Sequence, residues 1–325
     1  MNGIQHIKVS NRAAQYEFDL YRNITVVRGN SGTGKTTLYN MIAEHTRLGT
    51  DSGVNLSSAK KCVALVDLDW ENQLKNTSDS IVFIDEGAKY VTSKDFSDAI
   101  KHTDNYYVIF NREAMHDIPY SADEIYEIKT SGKFHSFKKM YPSKSGHIYS
   151  LGASKKKPDY NVLLTEDSHS GLQFYENLMS GKNVRCETSG SNSAIYNWLS
   201  GHSGEKVLVI ADGAAFGSEM DRVMKLQQLH PDRIMVCLPE SFEWLILKSG
   251  LIGNDKLNIS EILENASIFI DSKLYFSWEN YFEWLLVSST EHTHFQYTKS
   301  KINDIYLIEE NSRKIVSEIE QVIKK

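Results

Sequence analysis

Cysteine is scarce in this chain. The three that occur, Cys62, Cys186 and Cys237, stand far apart, each within an apolar stretch. They compose neither a disulfide framework nor a zinc site, and small buried core residues are the expectation. Long apolar runs are missing too: none approaches the roughly 18 residues required to span a bilayer. The opening MNGIQHIKVSN carries no apolar stretch of the signal-peptide kind. The expected location is therefore cytoplasmic, with no membrane partner. Nor is there an excess of positive charge: 36 Lys and Arg face 42 Asp and Glu. Residues 1–150 are balanced, so the whole net charge of −6 falls on the remainder. An acidic second half argues against tight, purely electrostatic binding of DNA. It leaves open an enzyme that meets phosphates through bound metal.

What is present is ordinary globular composition, 41% hydrophobic and 24% charged, over 325 residues. That length suits two domains of about 150 residues each. Alternating or continuous apolar runs predict strands at residues 4–9, 16–20, 24–28, 62–66, 81–84, 106–110 and 124–128. Helical stretches are expected at 35–46, 70–75 and 93–102. Strands alternating with helices indicate an α/β fold, a parallel sheet with helices on its faces. Residues 142–160, rich in Ser, Gly and Lys, read as a linker between a domain at 1–141 and a second at 161–325. In the second domain strands are expected at 161–165, 184–187, 206–211 and 233–238, helices at 171–179, 191–199 and 219–229, and a mostly helical tail from Trp278.

The run Gly29-Asn30-Ser31-Gly32-Thr33-Gly34-Lys35-Thr36, followed by Thr37, fits G-x-x-x-x-G-K-[ST] in full, between a buried strand and a helix. Glycines let the backbone turn its N–H groups inward around phosphates, and the helix adds its positive end. Lys35 supplies a mobile positive charge and Thr36 a hydroxyl for Mg²⁺. Mg-ATP or Mg-GTP is the expected ligand. Four apolar residues before Asp85-Glu86 build a central strand with acids at its C-terminal end, where ligands bind in open α/β sheets. Asp85 would orient the Mg²⁺ shell and Glu86 would polarise the attacking water. A third strand ends in Asn111-Arg112, the candidates for sensing the γ-phosphate.

The two motifs together resemble the P-loop ATPases whose second motif ends in Asp-Glu, including the ABC, structural-maintenance and AAA-like groups. The resemblance implies ATP hydrolysis. The chain departs from the ABC pattern in length. Only about 50 residues separate the motifs, too few for the usual helical subdomain with its LSGGQ sequence, and Leu199-Ser200-Gly201 follows them in the wrong order. The guanine-reading N-K-x-D motif is absent. P-loop ATPases often complete their site with a neighbour's arginine, so a homo-oligomer is expected, with Arg28, Arg47 and Arg112 as candidates.

In the second domain Glu166, Asp212 and Glu243 each follow a predicted buried strand. Acids at successive strand ends can converge on one divalent cation, Mg²⁺ or Mn²⁺, which holds a phosphodiester and activates water. The layout resembles the TOPRIM fold of topoisomerases, primases and OLD-family nucleases, where one Glu ends the first strand and D-x-D ends a later one. Glu166 matches the Glu and Asp212 the first Asp. Position 214 is Ala, so Glu219 or Asp221 would have to substitute. The segment Ser241-Phe242-Glu243 is similar to an element of TOPRIM-like domains in some bacterial phage-defence proteins. Lys299 is the lysine the resemblance offers to a scissile phosphate. The whole chain also looks like small bacterial P-loop proteins of undefined role. Two readings follow: an ATPase that regulates a metal-dependent nuclease, perhaps against mobile DNA, and a nucleotide-switched module whose second domain holds a protein or nucleic-acid partner without cutting it.

Overall fold

The computed structural model describes residues 2–141, 149–151, 159–253 and 257–323. The chain divides into two compact units, Met1–Tyr141 with Asn265–Phe276, and Pro142–Glu264 with Ser277–Lys325. Both are mixed α/β.

In the first unit the strands are β1 (Gln5–Ser10), β2 (Gln15–Leu20), β3 (Ile24–Arg28), β4 (Asn55–Ser57), β5 (Lys61–Leu65), β6 (Ser80–Ile84), β7 (Tyr106–Phe110), β8 (Ile125–Ser131) and β9 (Phe134–Lys139). Its helices include α1 (Lys35–Leu48), α2 (Trp70–Lys75) and α3 (Lys94–Ile100). The strands join one sheet in the order β4-β1-β2-β9-β8-β3-β7-β6-β5. From β8 to β5 every pairing is parallel. β3, β6 and β7 are buried along their whole length, as continuous apolar strands covered on both faces must be. The remainder corrects the expectation of a purely parallel sheet. β1 pairs antiparallel with β2 and β4, and β8 with β9. The short connections from β1 to β2 and from β8 to β9 suit hairpins, whereas a parallel crossover needs a dozen or more residues.

α1 buries Leu38, Met41 and Ile42, spaced i, i+3, i+4 on one helical face. They share a core with Ile7, Val9, Phe18, Phe83, Val108 and Phe110. Ser93 caps α3, its hydroxyl accepting from the Phe96 N–H at 3.2 Å. Phe96 then packs edge-on against Tyr107, Tyr90 and Trp70.

The second unit has β10 (Tyr149–Leu151), β11 (Val162–Thr165), α4 (Ser170–Met179), β12 (Arg185–Thr188), α5 (Asn192–Gly201), β13 (Val207–Ile210), α6 (Met220–Leu229), β14 (Ile234–Leu238), α7 (Phe242–Lys248) and α8 (Ile259–Glu264). The chain re-enters the first unit through α9 (Ala266–Phe269), where the Gly3 N–H donates to the Ser267 carbonyl at 2.6 Å. It returns for α10 (Trp278–Thr290), α11 (Glu309–Ile315) and α12 (Glu320–Ile323). The sheet order is β10-β14-β13-β11-β12, parallel except for β10. Part of the predicted linker, Tyr149–Leu151, is thus a strand of this sheet. The rest of it, including Lys155, Lys156 and Lys157, lies outside the described residues up to residue 158. All three cysteines are free, with Cys62 and Cys237 buried and Cys186 partly so.

One buried acid in the first unit has a readable pH signature. Burial pushes the Glu124 carboxyl up to about 7, against the attraction of Arg22 at 3.9 Å. A raised folded-state pKa gives stability that is complete below the ordinary carboxylate range and is lost as pH climbs through about 7. Glu124→Gln keeps the neutral form at every pH. The melting temperature of the variant relative to wild type should therefore rise between pH 5 and pH 8. A constant difference across that range would contradict the assignment.

Candidate functional sites at the two sheet edges

Parallel pairing of β3, β7 and β6 sets their C-terminal ends side by side. The phosphate-loop residues, Asn111-Arg112 and Asp85-Glu86 follow those three ends in turn. The loop takes the backbone its glycines allow, with φ of +135° at Gly29, +82° at Gly32 and +99° at Gly34. Lys35 is 3% exposed. Its ammonium donates to the carbonyls of Gly29 at 2.6 Å and Asn30 at 2.9 Å, and stands 3.5 Å from the Glu86 carboxylate. Glu86 is also paired with Arg112. Asp85 keeps one carboxylate oxygen buried without a hydrogen-bond partner, and so does the Asn111 amide nitrogen. Two unmet polar groups beside a phosphate loop are what a hydrated cation and a phosphate oxygen would satisfy. Thr36 and Thr37 are exposed at the start of α1.

A cavity of about 370 Å³ opens over the loop, lined by residues 31–37, Glu86, Tyr16, Thr130 and His135 among others. The last three come from β2, β8 and β9 and were not read from the sequence as site residues. Tyr16 stacks on His135 with ring centroids 4.4 Å apart and donates its hydroxyl to the Gly34 carbonyl at 2.9 Å. No local motif signals them, because their place beside the loop depends on the pairing of β2 with β9. Arg28 is buried, with one nitrogen donating to the Tyr120 hydroxyl at 3.0 Å. Arg47 and Arg112 are exposed.

In the second unit Thr165 pairs with Ile210, and Ile210 with Cys237. This register brings Glu166 and Asp212 together just beyond adjacent strand ends. The Asp212 N–H donates to Glu166 at 3.3 Å, and the Phe242 N–H donates to Asp212 at 3.2 Å. A cavity of about 20 Å³, room for about one water or ion, is lined by Glu166, Asp167, Asp212, Tyr175 and Phe242 among others. Asp167 is committed elsewhere: its carboxylate accepts the His169 and Gly171 N–H groups, both at 2.8 Å, and caps α4. Burial, with the nearby charge of Glu279, pushes the Glu166 carboxyl up to about 8. Burial also raises Asp212 well above the carboxylate range, with Glu166, Glu279 and Glu243 adding to it.

Glu243 sits in the first turn of α7 rather than on the strand end itself. It is 2% exposed. One oxygen accepts from the Tyr297 hydroxyl at 2.8 Å, and the other is buried without a partner. Tyr297 also bonds Ser170 at 2.7 Å. Two residues on, Lys299 donates to Glu283 of α10 at 3.0 Å. Burial of Lys299 favours its neutral form, yet Glu243, Asp212 and Glu283 outweigh that and raise its pKa. The two proposed substitutes for the missing second Asp do not join this group. Glu219 is fully buried with Arg222 at 2.6 Å, and Asp221 pairs with Lys225 at 2.7 Å. Ala214 is 3% exposed, and its N–H, like that of Gly213, is bonded to the backbone beyond β14. Among the described residues no three His, Cys, Asp or Glu side chains stand in ready-made metal-binding geometry. His292 and His294 are exposed, and along α10 Trp278, Tyr281 and Phe282 are core residues while Trp284 is 46% exposed.

Comparison of the chain with protein-family models, with curated proteins and with solved structures finds no match. The functional argument therefore rests on residues and geometry.

Gly34 offers a direct check on the loop. A Cβ there would lie 2.8 Å from the Tyr16 hydroxyl oxygen, at a φ that side chains rarely adopt. Gly34→Ala should destabilise the protein by about 1–3 kcal/mol in urea unfolding. In a Tyr16→Phe background, where the clashing oxygen is gone, the added cost should be smaller. Equal costs in both backgrounds would show that Tyr16 does not confine the loop.

Proposed function

We propose that the first unit binds Mg-ATP on residues 29–36 and hydrolyses it. The observation that carries this reading is Lys35, a buried ammonium held at the loop carbonyls and 3.5 Å from Glu86. A buried charge of this kind requires anionic or carbonyl partners, and phosphate oxygens are stronger acceptors than the carbonyls it now uses. Thr36 and Asp85 are the residues fitted to the cation, with the unpartnered Asp85 oxygen as the supporting feature. The cation, when bound, neutralises charge developing on the phosphates. Glu86 is the base that orients water, and its pairing with Arg112 would have to loosen for it to act. Asn111 and Arg112 are the γ-phosphate sensors of this reading.

For the second unit we propose a divalent-cation site at Glu166 and Asp212, with Lys299 beside it, acting on a phosphodiester under control of the ATPase. The support is the shared 20 Å³ cavity and the carboxylates crowded around it. A cation there would supply Lewis acidity and an activated water. Ala214 favours a second reading, in which this unit binds a protein or nucleic-acid partner without cleavage and nucleotide state switches the binding. Cytoplasmic location and self-association belong to both readings.

Lys35→Ala should weaken ATP binding at least tenfold, while Glu86→Gln should retain binding and slow turnover at least a hundredfold. Equilibrium binding of a fluorescent ATP analogue, with phosphate release, separates the two effects. Equal affinity in wild type and Lys35→Ala would refute the site. Glu166→Ala should abolish any Mn²⁺-dependent cleavage of DNA or RNA and leave ATP turnover intact. Turnover without cleavage of any nucleic acid by wild type would favour the binding-module reading.

A further inference from the structure

The cavity over the glycine-rich loop is larger than its phosphate-facing residues alone would make it. At about 370 Å³ it has the size of pockets that hold whole small organic molecules. Part of its lining belongs to the first sheet rather than to the loop: Ala13 and Ala14 between β1 and β2, Tyr16 on β2, Thr130 on β8 and His135 on β9. Strand register explains how an imidazole comes to stand there. Tyr16 is paired with His135 across β2 and β9, and Thr130 with His135 across β8 and β9. Directly opposed residues put their side chains on the same face of a sheet. The Tyr16 and His135 rings accordingly stack, 14° from parallel with centroids 4.4 Å apart. Thr130 Oγ1 lies 2.9 Å from His135 Nδ1, a hydrogen bond that sets the rotation of the ring. Two positions further along the same strands, Phe18 and Phe137 stack with centroids 3.9 Å apart and continue the arrangement into the core.

Tyr16 is 1% exposed, whereas His135 is half-buried. One face of the imidazole is covered by Tyr16, and its Nδ1 edge is engaged by Thr130. What remains for the cavity is the second face of a flat ring. Burial holds His135 below the ordinary histidine range, so at neutral pH the ring is uncharged and brings no positive charge to a phosphate. The ring is also close to the loop: a Cβ on Gly34 would lie 3.5 Å from His135 Nδ1. A ligand whose phosphates are held at residues 29–36 therefore has its remaining part within reach of His135. A neutral, oriented aromatic face beside a phosphate site matches the face of a nucleobase, because stacking asks only for a π-surface on each partner.

We propose that His135 is the platform on which the base of the bound nucleotide stacks, backed by Tyr16 and oriented by Thr130. The proposal rests on the nucleotide-binding reading of the first unit and deepens it. It makes the ligand a nucleoside triphosphate held by the face of its base, and not an inorganic polyphosphate.

The test compares two ligands by titration calorimetry of the full-length protein with Mg²⁺. One is a non-hydrolysable ATP analogue, and the other is inorganic tripolyphosphate, which has the phosphates and no base. Wild type should bind both. His135→Ala should weaken the analogue about fivefold or more, the loss of one base–aromatic stack, and change tripolyphosphate by no more than about twofold. His135→Phe keeps a flat ring and should hold the analogue within about threefold of wild type. Lys35→Ala should weaken both ligands. Melting of the unliganded variants establishes that each is folded. Equal losses for the two ligands in His135→Ala would make His135 a phosphate contact and overturn the proposal. Unchanged binding of the analogue by His135→Ala would overturn it as well. So would a His135→Phe protein as weak as His135→Ala, because the imidazole edge and not its face would then be in use. If wild type binds neither ligand, or Lys35→Ala binds both as wild type does, the nucleotide site itself fails and takes this proposal with it.

Discussion

A parallel strand pair has one directional consequence: both C-terminal ends, and whatever follows them, emerge at the same edge. Each unit of this protein uses that constraint. In the first, β3, β7 and β6 are consecutive and parallel, so a glycine-rich loop, an Asn-Arg pair and an Asp-Glu pair become neighbours although they lie far apart in the chain. In the second, β11 and β13 are adjacent and parallel, which joins Glu166 to Asp212.

Charge burial is the second theme. Lys35 is held by two carbonyls and Glu86, and Glu86 in turn by Arg112. This chain of contacts satisfies a buried ammonium. It also ties the proposed base to the proposed sensor, so any ligand that claims Lys35 or Arg112 alters the surroundings of Glu86. The second unit presents the opposite balance, with carboxylates in excess over a single lysine and two carboxylate oxygens unmet. The first site is already neutralised by its own residues, whereas the second is short of positive charge.

Much of this was legible in the sequence. The strands Ile24–Arg28 and Tyr106–Phe110 and the helix Trp70–Lys75 have the limits expected of them, and most other elements fall within two residues. Short apolar runs bounded by turn residues carry that information locally. The glycine-rich turn at residues 29–36 was equally plain, since all of its residues lie in one stretch of eight. β9 was not foreseen because FHSFKK is polar on one side and nowhere fully buried. α7 was missed as well: its run Phe242–Leu247 is buried on every side and has no helical period to read.

The sequence by itself determined which segments would be strands, where the glycine-rich loop would stand between a strand and a helix, and which acids would follow strand ends. These depend on neighbours in the chain. Only the tertiary structure decided that β9 joins β8 antiparallel and that β2 then pairs parallel with β9, which sets Tyr16 and His135 beside the loop. It also decided that residues 265–276 return to the first unit and that the Tyr297–Lys299 segment is bonded to Ser170 at the start of α4. Such encounters join residues more than a hundred positions apart. They are selected by how whole helices and sheets pack, and no local pattern of residues encodes them.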